Sequence, residues 1–179
     1  PNWVNGVSIP LPNKESLCYK FVPLDVRSWK DFRYEEIFQI RKGRRLTKAQ
    51  MAFGETPFIG AIDSNNGHRQ YVSANPNHQG GTITVNYNGS VAEAFYQPQP
   101  YWASDDVNVL YPKFEMSPFT AMFLCALIKQ EKFRFNYGRK WHLGRMNESI
   151  IKLPTTVDGL PDWEFMAGYV KALPFSVSL

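Results

Sequence analysis

The stretch Ser-Pro-Phe-Thr-Ala-Met-Phe-Leu-Cys-Ala-Leu-Ile-Lys, residues 117–129, carries the clearest fold signal of this chain. Ser117 is a favourable N-cap, and Pro118 suits the first helical position because its missing N–H has no intrahelical partner to lose. Apolar side chains then recur at helical spacing, at Phe119, Met122, Phe123, Ala126 and Leu127. The pattern predicts a helix that begins at Pro118 and buries this face.

The segments around this helix are short and mostly typical of strands. Runs of β-branched and aromatic residues, separated by Gly, Asn and Pro, predict strands at residues 56–62, 69–72, 82–87, 92–96, 107–111 and 150–153. Residues 29–38 predict a helical turn that runs into a further strand, and residues 162–173 predict a last helix that Pro174 stops. The fold class is therefore α+β, a strand-rich single domain with flanking helices.

The length of 179 residues suits one domain with a proper core. We divide it into an extended, proline-containing lead-in (1–25), a main globular domain (26–155) and a C-terminal helical segment (156–179). Cys18 and Cys125 are isolated and predict neither a disulfide framework nor a metal site. No apolar run approaches the roughly 20 residues of a membrane span, and the N-terminus is unlike a signal peptide, so we expect a cytoplasmic protein with no membrane partner.

The basic residues are concentrated in two segments. Residues 41–48 and 129–145 together contain eleven basic residues and one acidic residue, a net charge of +10, whereas the other 154 residues carry −6. Such segregation creates a local positive field and favours a polyanionic partner. Two unrelated, solvated basic loops are the alternative interpretation.

The sequence lacks the motifs of common nucleases, of DNA amino-methyltransferases and of phosphate-binding loops. It contains no Asp-x-Lys or Glu-x-Lys, no Pro-Pro and no phosphate-binding glycine loop. The three histidines lack the spacing of zinc ligands, and Asp105-Asp106 is better explained as a turn than as a carboxylate pair. We predict that the chain binds a ligand, has no catalytic centre, and holds neither a metal nor a cofactor.

A series of short motifs, in order along residues 25–173, resembles one known family. The motifs are Trp29-x-x-Phe32, Ile37-Phe38-Gln39-Ile40-Arg41-Lys42-Gly43, Gly54-x-x-Pro57-Phe58-Ile59, Ser64-Asn65-Asn66-Gly67, Asn88-Gly89-Ser90, Ser104-Asp105-Asp106-Val107, Lys132-Phe133-Arg134-Phe135-Asn136-Tyr137-Gly138-Arg139-Lys140, Ile151-Lys152-Leu153-Pro154 and Asp158-Gly159-x-Pro161-Asp162-Trp163. Together they resemble a target-recognition domain of type I restriction–modification specificity subunits and of the related BcgI-like systems. The family often has another glycine soon after the Gly-Ser turn, where this chain has Val91-Ala92-Glu93.

The resemblance implies a non-catalytic domain that recognises one half of a split DNA target. A methyltransferase subunit or domain would use S-adenosylmethionine to methylate an adenine there, and a restriction nuclease subunit or domain would cut. Full specificity subunits of the family carry two recognition domains joined by long helices. The segment 156–179 would then begin such a spacer or dimerisation helix, and a homodimer is one expected arrangement.

Candidate DNA-binding residues follow from the two kinds of contact that a specific DNA-binding protein makes, to phosphates and to base edges. The basic candidates for phosphate contacts are Arg41, Lys42, Arg44, Arg45, Lys48, Arg134, Arg139, Lys140 and Arg145. The candidates for reading bases, in a polar loop, are Asn65, Asn66, His68, Arg69 and Gln70.

Other residues are assigned to packing. The alternation of residues 132–135 predicts that Arg134 shares a face with Lys132 and Asn136 while both phenylalanines enter the core. The remaining residues assigned to packing are Trp29, Phe32, Ile37, Phe38, Phe119, Met122, Phe123 and Trp163.

Two other functions remain open at this point. The chain is also interpretable as the recognition portion of a single-chain enzyme fused to methyltransferase and nuclease domains. The chain is also interpretable as a strand-rich carbohydrate- or protein-binding module, for which its 27 aromatic residues would be suitable.

Overall fold

The computed structural model describes residues 24–173 and the backbone of two short strands before them. The strands are β1 (Trp3–Val4), β2 (Val7–Ser8), β3 (Lys30–Arg33), β4 (Phe38–Lys42), β5 (Thr56–Ile59), β6 (His68–Val72), β7 (Thr82–Asn86), β8 (Ala94–Gln97), β9 (Trp102–Ala103), β10 (Val107–Pro112) and β11 (Ile150–Leu153). The helices are α1 (Tyr34–Ile37), α2 (Pro118–Lys129), α3 (Leu143–Glu148) and α4 (Trp163–Lys171). Strands β1 and β2 pair antiparallel. The rest of the predicted lead-in up to residue 23, including Cys18, and residues 174–179 lie outside the described residues.

A four-stranded antiparallel sheet, in the order β4-β10-β7-β8, forms the centre of the domain. Because successive side chains of a strand point to opposite faces, the sheet contributes to two different cores. Ile83, Val85 and Leu110 face the core that is covered by helices α2 and α4. Val107 and Val109 face a second, smaller core on the other side.

The second core is covered by a three-stranded sheet in the order β6-β5-β9. Strands β5 and β6 are antiparallel, whereas β5 and β9 are parallel. Ile59, Tyr101 and Ala103 bury their side chains between the two sheets. The architecture is therefore helices, central sheet and small sheet, which confirms the α+β, strand-rich prediction.

Helix α2 is confirmed at its predicted start, where the Ser117 hydroxyl accepts a hydrogen bond from the N–H of Thr120 at 3.1 Å. The predicted apolar face is wrong, however, since Met122 and Ala126 are exposed. The buried positions are Thr120, Ala121, Phe123, Leu124, Cys125 and Ile128. Nearly every residue of this helix is apolar, so local spacing could not distinguish between overlapping stripes.

The alternation predicted for residues 132–135 is also wrong. Residues Gln130–Phe133 continue α2 as a 3-10 turn, in which side chains three apart share a face. Phe135 is buried as expected, but Phe133 is 81% exposed. The other residues assigned to packing are buried or half-buried, with the exception of Met122.

Helix α4 packs against α2 and belongs to the main core. The Asp162 carboxylate caps it by accepting from the N–H of Phe165 at 2.9 Å, and Met166 and Val170 are buried beneath it. The start of the C-terminal segment is thus integral to the domain. Within residues 24–173, no helix has the length and hydropathy needed to cross a bilayer.

Candidate nucleic-acid interface

The loop after β4 carries the first basic segment and is held against β9 and β10 by its backbone. Gly43 N–H donates to the carbonyl of Val107 and Arg44 N–H donates to that of Ala103, each at 2.9 Å. The Trp102 indole N–H donates to the carbonyl of Arg44, also at 2.9 Å. The loop backbone is therefore fixed while the side chains of Arg44 and Arg45 remain exposed.

The predicted polar loop is a tight turn pinned to β8. Asn65 and Asn66 adopt positive φ values of 48° and 53°, a conformation that Asn tolerates better than most residues. The Asn66 amide donates to the carbonyl of Tyr96 at 3.0 Å, and the buried Gln97 amide donates back to the Asn66 carbonyl at 2.9 Å. The Asn65 amide donates to the carbonyl of His68 at 3.0 Å. Both asparagine amides are thus engaged in hydrogen bonds that hold the turn in place.

Past this turn, β6 presents its polar residues outward. Arg69 and Gln70 are exposed, while the His68 ring packs on Tyr71 with a centroid distance of 4.6 Å. The stem of Arg69 lies over the backbone of Gly60 in the adjacent strand region. Of the predicted base-reading residues, Arg69 and Gln70 have side chains that make no hydrogen bond or ion pair within residues 24–173.

The second basic segment contributes a compact turn. The Asn136 carboxamide oxygen accepts hydrogen bonds from the N–H groups of Gly138 and Arg139, at 2.9 and 3.0 Å. Tyr137 sits at the tip and is 75% exposed, with the Lys140 ammonium 5.3 Å from its ring centroid. Tyr137 was not among the sequence candidates, although the Asn-x-Gly signal of a side-chain-bonded turn was present.

These three segments border a single open groove of about 490 Å³. Its lining includes Arg45 from the first basic segment, Arg69 from β6 and Tyr137 from the second basic segment. The loop between β9 and β10 contributes Asp105 and Asp106 to the same lining. Tertiary folding thus brings part of the first basic segment, strand β6 and the turn of the second segment to one concave surface. Of the predicted cations, Arg45 and Arg69 line this groove, whereas those of the second basic segment do not.

The acidic residues of the groove are partly engaged. The Asn88 amide donates to the Asp106 carboxylate at 2.7 Å, and residues 105–106 form a turn, as predicted. Within the described residues no set of three His, Cys, Asp or Glu side chains is close enough to hold a metal ion.

The candidate cations differ in how far other groups already engage them. Arg44, Arg45, Lys48 and Arg69 have no ion pair within residues 24–173. The Arg145 guanidinium donates to the Lys140 carbonyl at 2.9 Å, and the Arg139 guanidinium lies 5.8 Å from the Phe135 ring centroid. The first four are therefore the most available to an anionic ligand.

Arg41 and Lys42 point to opposite faces of the central sheet, as neighbours on a strand must. Arg41 lies over the Tyr111 ring at 4.6 Å and donates to the side-chain oxygen of Gln39 at 2.9 Å. Lys42 lies over the Tyr87 ring at 4.8 Å. Neither lines the groove of Arg45 and Arg69, so the first basic segment is split between surfaces.

Part of the charge of the second segment is neutralised within the fold. Glu93, which is buried, forms ion pairs with Lys132 and, at 3.5 Å, with Lys129. Arg134 pairs with Glu131 at 2.9 Å. Burial raises the pKa of Glu131, and the Arg134 charge opposes that shift. Sequence charge alone therefore overstated the cations available from residues 129–134.

The fold thus places a groove lined by two arginines and two aspartates on the surface of the domain. Residues 27–173 match the family described as the type I restriction modification DNA specificity domain, and the chain belongs to this family. The match confirms the resemblance of the ordered motifs to type I specificity subunits. It also confirms the interpretation of the chain as a recognition module rather than a catalytic one.

Individual relatives support the same assignment. The specificity subunit S.BcgI of the type II BcgI restriction enzyme, from Heyndrickxia coagulans, is 47% identical over 145 residues, which cover 80% of this chain and 42% of that protein. The specificity subunit of the type I restriction enzyme MpnII, from Mycoplasma pneumoniae, is 31% identical over 126 residues, covering 68% of this chain and 37% of that protein. The chain therefore spans about two fifths of the length of these relatives.

Solved structures share the fold. The type I S subunit from M. genitalium matches with a TM-score of 0.61 at 19% identity, over 80% of this chain and 38% of that one. The HsdS subunit from Thermoanaerobacter tengcongensis matches with a TM-score of 0.62 at 12% identity, over 90% and 41% of the two chains.

Proposed function

We propose that this domain recognises one half of a split double-stranded DNA target and thereby directs a restriction–modification system to it. The observation that carries the proposal is the groove where Arg45, Arg69 and Tyr137 meet. Two arginines without carboxylate partners in the described residues are suited to an anionic ligand, because an arginine fork matches phosphate oxygens and guanine edges.

Within the proposal, the cations divide into two roles. Arg44, Arg45 and Lys48 lie on one loop and contact phosphates, which fix position without reading sequence. Arg69 and Gln70 on β6 read base edges, since Arg pairs two-pronged with guanine and Gln with adenine. We assign Asn65 and Asn66 to shaping this loop, because their amides are bonded to backbone carbonyls.

Partners supply the chemistry in this proposal. A methyltransferase subunit or domain binds S-adenosylmethionine and methylates an adenine in the recognised half-site, and a restriction nuclease cuts unmethylated targets. The proposal places the protein in the cytoplasm, where the bacterial chromosome is accessible. A homodimer, or a second recognition domain, provides the other half-site.

The test measures binding of the native protein to a randomised pool of DNA duplexes at 50 and 200 mM salt. A protein that makes about six phosphate contacts becomes roughly a thousandfold weaker in binding over this range. Replacing Arg44 and Arg45 by Gln should weaken binding to all duplexes alike. It should also reduce the salt slope by about 1 for each phosphate that the protein no longer touches.

The matched control replaces Lys30 and Lys152, exposed residues of the paired strands β3 and β11, by Gln. This control removes the same charge outside the groove and should leave the salt slope at its wild-type value. A wild-type affinity that does not change with salt, or equal effects of the two double variants, would rule out a DNA-binding groove at Arg45.

A further inference from the structure

Gly60 lies directly beneath the side chain of Arg69. A Cβ atom built on Gly60 would be 2.3 Å from Cδ of Arg69, 3.1 Å from its Cγ and 3.6 Å from its Nε. A contact under 3 Å cannot persist, so a Cβ atom at position 60 would force the arginine stem to move, which a flexible side chain can do. The hydrogen atom of glycine is what permits this approach.

The backbone conformation offers no other reason for glycine at this position. The φ of Gly60 lies outside the left-handed region, in contrast with Gly67 in the neighbouring turn, whose φ is 76°. Gly60 is buried, and its N–H donates to the carbonyl of Gly67 at 2.9 Å. Glycine at this position is therefore needed for the observed placement of the Arg69 stem and not for the backbone conformation.

The local pairing explains why Arg69 crosses at this point. Strands β5 and β6 change register between Phe58 and Ile59, so that Ile59 pairs with His68. Phe58 pairs with Gln70, so Arg69 is the extra, unpaired residue of this irregularity, and its stem reaches over Gly60. The Asn66–Tyr96 hydrogen bond anchors the turn that leads into β6. The arginine stem is thus supported from below and its strand is fixed at one end.

We propose that Gly60 is a positioning residue for DNA recognition, whose missing side chain lets Arg69 lie flat and direct its guanidinium into the groove. This inference rests on the proposed function, in which Arg69 reads a base. A guanidinium that is already oriented loses less side-chain freedom on binding, and a two-pronged contact to guanine depends on its orientation. Substitution of Gly60 therefore acts on sequence preference through Arg69.

The experiment compares Gly60→Ala, Arg69→Ala and the double variant, in the native protein, against a randomised duplex pool. Arg69→Ala should lower affinity for the preferred sequence by about 5- to 150-fold and relax the preference at one base pair. Gly60→Ala should relax the preference at the same base pair, with affinity reduced about tenfold. In the Arg69→Ala background, Gly60→Ala should change neither affinity nor preference further.

The control is Gly144→Ala in α3, where an added Cβ meets no atom within 4 Å. It should keep wild-type binding. Thermal unfolding of all variants separates displacement of Arg69 from damage to the strand. If Gly60→Ala lowers the melting temperature, removal of the arginine stem should restore it, because the clash disappears.

The outcomes distinguish this inference from the proposed function. If Gly60→Ala has the same effect with and without the Arg69 side chain, or no effect on preference while Arg69→Ala has one, the positioning role is overturned. If Arg69→Ala itself leaves the preferred sequence unchanged, the positioning role is again overturned, whereas DNA binding by the domain is decided independently by the salt dependence of the wild type.

Discussion

The Tyr34 hydroxyl lies in the main core without a hydrogen-bond partner among residues 24–173. Its side chain is fully buried and packs edge-on against Trp141, with ring centroids 5.3 Å apart. Burial raises the pKa of Tyr34 well above its ordinary value, so the phenol stays neutral. The ring contributes to packing, while the desolvated hydroxyl opposes folding.

Tyr34→Phe should therefore stabilise the domain by up to about 1 kcal/mol, because it removes an unpaired buried polar group and keeps the ring. Urea unfolding measures the change. The comparison variant, Tyr101→Phe, should instead destabilise, since the Tyr101 hydroxyl is 2.8 Å from that of Thr82. Destabilisation by Tyr34→Phe would show that this hydroxyl has a partner.

His78 makes stability depend on pH. It is buried beside Tyr111, whose hydroxyl is 2.8 Å from Nδ1. Burial lowers the pKa of His78 below 6.5, and the Arg41 charge adds to that effect, although a backbone hydrogen bond to Lys42 opposes it. As the pH falls from about 6.5 through the lower pKa of the folded state, the unfolded chain binds more protons than the folded chain, so stability should fall over that range.

Replacing His78 by Gln should reduce the fall in unfolding free energy between pH 7.5 and pH 5.5. The same substitution at the exposed His142 serves as the control and should leave that fall unchanged. Urea midpoints at the two pH values provide the measurement. Equal acid sensitivity in wild type and His78→Gln would assign the effect to other groups.

Among the elements, β4 and the loop after it determine where the first basic segment points. Arg41 and Lys42 diverge because the strand alternates, and Gly43 then lets the chain pass close to β9. A Cβ on Gly43 would be 2.1 Å from the Ser104 carbonyl oxygen and 2.7 Å from that of Ala103. These neighbours are backbone atoms, which cannot move aside as a flexible side chain can.

Gly43→Ala should therefore destabilise the domain by about 1–3 kcal/mol or more. It should also displace Arg45 from the groove. Gly168→Ala is the matched control, because its Cβ would meet nothing within 4 Å on helix α4. That control should stabilise slightly, by up to about 1 kcal/mol, through better helix propensity. Thermal unfolding of both variants tests this, and equal melting temperatures would contradict the close approach at Gly43.

Helix caps and turns were predicted correctly, because they depend on neighbouring residues in the chain. Strand limits and the segment 132–135 were predicted wrongly, because these stretches are too short to show a clear period. The cap at Ser117 and the turn of Asn65-Asn66 depend on neighbouring residues, and both are present. Strand β8 starts at Ala94 rather than at residue 92, because Ala92 has a φ of 64°. This is the region where the family often has a glycine, a residue that adopts such a φ without strain. Four alternating residues at 132–135 could not distinguish a strand from a 3-10 turn.

In the molecule as a whole, the groove exists because three distant segments converge. Arg45, Arg69 and Tyr137 are far apart in the chain, and the sheets between them place their side chains around one concavity. Ion pairs such as that of Glu93 with Lys129 meanwhile neutralise part of the charge of the basic segments. The cations that remain without an ion pair in the described residues are thus fewer than the sequence charge suggested.

Tyr137→Ala should weaken DNA binding by about 1–3 kcal/mol if the exposed ring stacks on or wedges against bases in this groove. Folding should change by less than about 0.5 kcal/mol, as for other exposed positions. Phe133→Ala is the matched control, because Phe133 is equally exposed but does not line the groove. Equal binding by both variants would exclude a DNA contact at Tyr137.

Sequence patterns were sufficient to establish the fold class, the helix start at Pro118, the main turns, the two basic segments and the family. These features depend on residues close together in the chain or on the order of motifs along it. Three others became visible only in the folded chain: which face of α2 is buried, which cations remain without an ion pair in the described residues, and that Arg69 rests on Gly60. Each of these depends on contacts between segments that are remote in sequence, which no local pattern encodes.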